Sequence, residues 1–178
     1  HQACDNYLDE KMTASNKPND KPYKKGAYYT GKEHSWDEAF GYWGAAAHTM
    51  TLSAQQSYDV AKKKDLKAAD FNKDGVVDLY KEMTYGHAYY ASAFDRGGKT
   101  DYLKTVTKAF IDGRKIITNA DGEKLSSSDL TKVQDLAQVI CSNWAQVIAE
   151  AVHKYAGSVY KDLGACLLYT SDAADDRL

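Results

Sequence analysis

Ser126-Ser127-Ser128-Asp129-Leu130-Thr131-Lys132-Val133-Gln134-Asp135-Leu136-Ala137-Gln138-Val139-Ile140-Cys141-Ser142-Asn143-Trp144-Ala145-Gln146-Val147-Ile148-Ala149-Glu150-Ala151-Val152-His153-Lys154-Tyr155 is the run that decides the fold class. Its apolar residues Leu130, Val133, Ala137, Ile140, Trp144, Val147, Ala151 and Tyr155 recur in steps of three and four, which places them on one stripe of an α-helix. The serines before it cap the start, and Gly164 is expected to end the helix. A stripe this long predicts a helix over 129–163 packed in a bundle. Working outward, helices are expected at 3–12, 35–48, 54–64, 79–94 and 102–117. Ser35-Trp36-Asp37-Glu38 has the capping-box spacing and predicts a helix start at Ser35. Arg96-Gly97-Gly98 and Asn119-Ala120-Asp121-Gly122 read as breaks. Both prolines, Pro18 and Pro22, fall in the polar stretch 16–25, which reads as a loop with room for a short hairpin. The expected class is all-α, an up-and-down helical bundle with a Ca-binding-type loop between two helices.

The composition suits one domain with its own core: 178 residues, 43% hydrophobic, 27% charged, net charge −2. No basic excess points to nucleic acid, and no apolar run reaches the roughly 20 residues of a membrane span. Fourteen tyrosines stand against four phenylalanines. Tyrosine at that frequency lines a ligand surface or, more commonly, edges a core with its hydroxyl in water. Cys4 and Cys141 are far enough apart in sequence to staple the chain in an oxidising compartment, whereas Cys141 alone reads as a small buried hydrophobe.

The clearest chemical signal is Asp70-Phe71-Asn72-Lys73-Asp74-Gly75-Val76-Val77-Asp78-Leu79-Tyr80-Lys81-Glu82. Oxygen-bearing side chains at positions 1, 3 and 5, glycine at 6 and a carboxylate at 9 form the spacing that wraps a loop around Ca²⁺. The expected ligands are Asp70, Asn72, Asp74, the Val76 carbonyl, Asp78 and Glu82, with Val77 anchoring the loop to the core. Position 12 is Lys81, which cannot ligate a cation, so either Glu82 reaches in from one residue later or water completes the shell. The alternative is an Asx-rich turn that holds no metal.

A second constellation is His34, Asp37 and Glu38. Three- and four-residue spacings put them on one helix face, where they suit a transition metal such as iron or zinc or a paired acid and base. The plainer reading has the two acids complementing a helix N-terminus. Arg114 either meets a carboxylate such as Asp37 or faces solvent. Glu150-Ala151-Val152-His153 has the Glu-x-x-His spacing of di-iron bundles, but it stands alone and reads as a solvated pair. With no His-Glu-x-x-His motif, no residue is assigned a catalytic role.

Several segments together carry a resemblance: Gly31-Lys32-Glu33-His34-Ser35-Trp36-Asp37-Glu38-Ala39-Phe40-Gly41-Tyr42-Trp43-Gly44-Ala45-Ala46-Ala47-His48-Thr49-Met50, the 70–82 loop, Tyr85-Gly86-His87-Ala88-Tyr89-Tyr90, Phe110-Ile111-Asp112-Gly113-Arg114-Lys115, and the helix from Asn143-Trp144 onward. Over most of residues 4–163 the chain resembles an uncharacterised group of secreted bacterial lipoproteins, similar to the imelysin-like proteins of the cell envelope. The imelysin signature has Gly two residues before a His and Glu three after it. Here Lys32 and Asp37 occupy those places around His34, and Glu38 is an additional acid. The resemblance implies a helical, non-enzymatic protein of the periplasm or outer membrane that supports metal or haem uptake. It also implies a lipid anchor on a missing N-terminal portion. The competing expectation is a metal-dependent hydrolase, a peptidase, using His34 with Asp37 or Glu38, with His48 or His87 completing the ligand set.

The terminal Cys166-Leu167-Leu168-Tyr169-Thr170-Ser171-Asp172-Ala173-Ala174-Asp175-Asp176 reads as translated sequencing adaptor. Together with a start at His1, it gives the expected organisation: one helical domain over 1–165, N-terminally incomplete, and a non-native tail over 166–178.

Overall fold

The computed structural model describes residues 2–175, with side-chain environments through residue 166. Of the stretch 166–178 expected to be a non-native tail, residues 176–178 and the side chains from residue 167 on lie outside what is described. The described chain is all-helical. It opens with a π-helix, Ala3–Asp9, that tightens into a 3₁₀ turn, Glu10–Met12. Six α-helices follow: α1 Gly31–Trp43, α2 Ala54–Ala61, α3 Leu66–Ala69, α4 Gly86–Asp95, α5 Tyr102–Asn119 and α6 Ser127–Asp175. The only extended pairing among the described residues is one antiparallel bridge, Pro22 to Thr30. It closes the Pro-containing loop into a small hairpin, with the Tyr23 N–H donating to the Tyr29 carbonyl at 2.8 Å.

The stripe read from α6 is the spine of the core. Val133, Ala137, Ile140, Trp144 and Val147 are all at most 5% exposed. They pack against α5, whose Leu103, Val106, Phe110 and Ile117 are buried opposite. α1 lies across both through aromatic edges: Trp36 and Phe40 meet Phe110, and Trp43 meets Trp144 at 5.1 Å. Gly113 is what lets α1 approach so closely. A β-carbon there would run into the Trp36 ring, and the indole instead lies over the α5 backbone and donates to the Phe110 carbonyl at 2.8 Å. A smaller apolar cluster, Leu52, Val60, Ala69 and Met83, sits under α2 and α3.

Several boundaries differ from the sequence expectation, among them the ends of α1 at Trp43, α2 at Ala61 and α5 at Asn119; three differences have a clear cause. α1 begins at Gly31, capped by Thr30, whose side chain accepts from the Glu33 N–H while Glu33 bonds back to the Thr30 N–H. Ser35 lies inside the helix and donates to the Gly31 carbonyl. Both Thr30-x-x-Glu33 and Ser35-x-x-Glu38 satisfy the capping-box pattern, and the upstream one starts the helix. Residues 79–85 are not helical, because their backbone is engaged elsewhere. Ala47 N–H donates to the Lys81 carbonyl, and Tyr85 N–H to the Gly44 carbonyl, both at 2.7 Å. Gly164 does not stop α6: it keeps a negative φ rather than the left-handed conformation that ends helices.

Cys4 and Cys141 form a disulfide, with Cα atoms 5.7 Å apart, tying the N-terminal π-helix to the middle of α6. Cys141 is therefore a half-cystine, not a free buried hydrophobe. Its position one residue after the stripe residue Ile140 turns it toward the π-helix, which also packs on α6.

Candidate metal centre

The 70–82 loop follows α3 directly, and its side chains fold inward onto its own backbone. Asp70 accepts from the N–H groups of Asp74 at 3.2 Å and Gly75 at 2.9 Å. Asn72 Oδ1 accepts from the Asp74 N–H at 3.0 Å, and Asp74 from the Val76 N–H at 2.8 Å. Lys73 at φ 61° and Gly75 at φ 83° provide the left-handed steps that the turn needs. Val77 packs against the Leu52–Val60–Ala69–Met83 cluster, as its apolar character predicts.

Around position 12 the two side chains part ways. Lys81 points outward and pairs with Asp78 at 3.7 Å, its side chain 77% exposed. Glu82 is 6% exposed and sends its carboxylate back into the loop. Oε1 accepts from Phe71 and Asn72 N–H, and Oε2 from Asp78 N–H at 2.8 Å. The acid one residue late thus holds both ends of the loop together. Asp78 turns instead to the Tyr80 N–H.

A neighbour that the sequence did not connect to this loop is His48. It is buried, stacks on Phe71 with ring centroids 5.0 Å apart, and places Nε2 3.0 Å from the Ala68 carbonyl. The ring props the loop from beneath.

The His34 constellation divides between two sets of partners. His34 Nε2 lies 3.3 Å from Glu38 Oε2, with the imidazole stacked on Tyr23 at 3.8 Å and on Tyr29 at 5.7 Å. Glu38 Oε1 accepts from the Tyr7 hydroxyl at 2.7 Å, a bond that pushes the Tyr7 phenol up to about 12. Asp37 turns to Arg114, whose Nε donates to it at 2.8 Å. Arg114 Nη1 donates to Glu33 at 2.7 Å and to Thr118. Burial alone pushes the Glu33 carboxyl up. The Thr30 N–H and the Arg114 guanidinium outweigh it, so Glu33 sits below the ordinary carboxylate range. Of the two options open for Arg114 in the sequence, the carboxylate partner is the observed one.

Lys32, at the signature's glycine place, is 2% exposed. Its ammonium donates to the carbonyls of Thr13 at 2.7 Å, Asn16 at 2.9 Å and Lys11 at 3.4 Å, tying the first loop to α1. Burial lowers it to about 8. The other histidines are apart from this face: His48 sits under the loop, and His87 lies edge-on to Trp144, where burial pushes its imidazole down. Glu150 accepts from the Tyr102 hydroxyl at 2.8 Å, while His153 is exposed. Among the described residues no three His, Cys, Asp or Glu side chains converge as a metal cage. Glu82 Oε1 already accepts two N–H bonds, whereas Glu82 Oε2 and the side-chain oxygens of Asp70, Asn72, Asp74 and Asp78 that accept an N–H bond each keep a second lone pair. Ca²⁺ also takes amide, carbonyl and water oxygens.

The family model of DUF4856, a domain of unknown function, matches residues 1–88. The match takes in α1 to α3, the 70–82 loop and the first residues of α4, so the loop, His34 and Lys32 all lie within the DUF4856 region. Arg114 and Glu150 lie beyond it. No curated protein and no solved structure gives a significant match to the chain.

Proposed function

We propose that this is a non-enzymatic cell-envelope protein with a structural Ca²⁺ site at the 70–82 loop, of imelysin-like type, supporting metal or haem uptake. The observation that carries the calcium reading is Glu82, buried and directed into the loop where the sequence lacks an acid at position 12. With Glu82 inside, Asp70, Asn72 and Asp74 face the same turn, with the Val76 carbonyl and Asp78 as the remaining oxygen donors. The Cys4–Cys141 disulfide supports an oxidising compartment, and no helix among the described residues is long and apolar enough to cross a membrane. The envelope location, lipid anchor and uptake role rest on the resemblance set out above. We rank the metal-dependent hydrolase built on His34 second, because Asp37 and Glu38 already serve Arg114 and Tyr7.

The test is a calcium titration followed by calorimetry and by melting. Lys73 and Lys81 offset part of the loop's charge, so the expected dissociation constant is about 10⁻⁴–10⁻³ M, the range of extracellular modules. An ion that binds only the folded loop raises stability by about 2.7 kcal/mol at a hundredfold excess over that constant. Asp70→Ala or Asp74→Ala is expected to abolish the rise, and Mg²⁺ to substitute poorly. Lys81→Glu discriminates between geometries: with Glu82 in place, it should change affinity less than about threefold. No heat and no shift in melting temperature up to about 10 mM Ca²⁺ would remove the site.

A further inference from the structure

We infer that the groove between α1 and α5 is a binding site for a small amphiphile with an apolar chain and a carboxylate head. The groove has a volume of about 410 Å³, inside the roughly 300–1,000 Å³ typical of small-molecule sites. Its walls are Trp36 and Phe40, four apart on α1, and Phe110 and Ile111 on α5. Phe40 and Ile111 are only half-buried, so an apolar face stays open to solvent beside a fully packed core. Burying such a face under a hydrocarbon chain is favourable at roughly 25 cal/mol per Å².

The polar groups collect on one side of this apolar wall. Arg114, Lys115 and Thr118 follow Ile111 on α5 at spacings that bring them to the groove's edge. Arg114 is held rigid by Asp37, Glu33 and Thr118 through Nε and Nη1, which leaves Nη2 without a hydrogen bond among the described residues. Its charge is met by those carboxylates, so it offers fixed N–H donors more than net charge. Lys115 is exposed and makes no ion pair or hydrogen bond among the described residues. A carboxylate at the rim would take its charge from Lys115 and its orientation from the Arg114 fork, the planar geometry that suits a carboxylate best. A neutral head would leave Lys115 unused, and a cationic head would find Asp37, the acid of the lining, already engaged by Arg114.

The rest of the surface offers a useful control. α6 carries an exposed apolar face, with Val152, Tyr155 and Val159 each at least half exposed; the cation beside it, Lys154 over the Tyr155 ring, has no fixed guanidinium next to it among the described residues. Binding there would be governed mainly by apolar area, with no fork to orient a carboxylate.

The experiment is isothermal titration of the full chain with decanoate, below its micellar concentration, against decanol and decyltrimethylammonium at matched concentrations. Decanoate is expected to bind with one-to-one stoichiometry, at least tenfold more tightly than either analogue. Ile111→Trp, which fills the groove from a half-buried position, and Lys115→Glu, at an exposed one, should each weaken decanoate at least tenfold, with unchanged helical content by circular dichroism. Val159→Lys should leave it within twofold. Absence of decanoate binding, equal binding of the three probes, or a loss caused by Val159→Lys and not by Ile111→Trp would each overturn the assignment. The calcium reading stands or falls separately, since no loop residue lines the groove.

Discussion

Glu33 does three things with one carboxylate. It closes the capping box on Thr30, receives Arg114, and accepts from the Thr118 hydroxyl at 3.1 Å. These contacts hold its carboxyl below the ordinary value, so the charged form is favoured by folding. For an acid with a depressed folded pKa, the unfolded chain binds more protons as the pH falls through the carboxylate range. Its stabilising contribution is thus complete above its unfolded value, near 4.3, and is lost as the pH drops below that toward the lower folded value. Glu33→Gln keeps the size and removes the titration. It is expected to destabilise the protein at pH 7 by about 1–3 kcal/mol, the cost of leaving charged partners less well satisfied. The variant should also lose less stability than the wild type between neutral pH and pH 3. Urea unfolding at both pH values checks this, and parallel losses in the two proteins would count against it. Glu33 had no role in the sequence reading, although Thr30-x-x-Glu33 was available as a cap signal. Lys32 was noted only as a departure from a signature, and nothing in its neighbours shows that three carbonyls from residues 11–16 surround its ammonium. Side-chain partners that are distant in sequence leave no local trace.

At the scale of elements, the period of the apolar residues made α5 and α6 readable, because each presents one stripe to the other. The segment 79–85 was misread for the opposite reason. Its residues are compatible with a helix, but its N–H and C=O groups are engaged by the 44–47 turn, an arrangement set by tertiary contact. The loop pattern at 70–82 was legible as spacing. That Glu82 turns inward was left open, because it depends on where the chain goes after Lys81. The meeting of α1 with α5 was legible only as one of two options for Arg114, a bond to Asp37, since the close approach hinges on the missing β-carbon of Gly113. Gly113→Ala isolates that contact. In an exposed helix the change would stabilise by about 1 kcal/mol through propensity. Here the added methyl runs into the Trp36 ring, which is fixed by its bond to the Phe110 carbonyl. Overpacking costs about 1–3 kcal/mol or more. The expected outcome is a net loss of at least about 1 kcal/mol in urea unfolding, with altered near-ultraviolet circular dichroism from Trp36. A neutral or stabilising result would mean that the ring yields easily and that the close approach is not what fixes α1.

For the whole molecule, one covalent bond joins parts that the sequence keeps apart. Cys4 and Cys141 are separated by 137 residues, and the loop they close contains α1 to α5 and the first part of α6. Sequence reading left this pairing open. Cys141 lies in an apolar run that equally suits a buried thiol, and only the docking of the π-helix against α6 selects the bridge. Tyr7 and Leu8 of that π-helix are buried, and Tyr7 bonds to Glu38 on α1, so the disulfide fastens a segment that already belongs to the core. A cross-link over so long a loop restricts the unfolded chain strongly, by about 4–5 kcal/mol in the chain-entropy description, while removal of native bridges typically costs about 2–5 kcal/mol. The Cys4→Ala, Cys141→Ala double variant is therefore expected to lose about 2–5 kcal/mol in urea unfolding. It should keep its helical circular dichroism, because the packed stripe of α6 from Val133 to Val147 does not depend on the bridge. Dithiothreitol should lower the midpoint of the wild type toward that of the variant and leave the variant unchanged. A wild-type midpoint indifferent to reductant would mean that the two thiols are not joined in solution. A double variant that lost its helicity outright would show instead that the π-helix and α6 need the covalent link to stay docked.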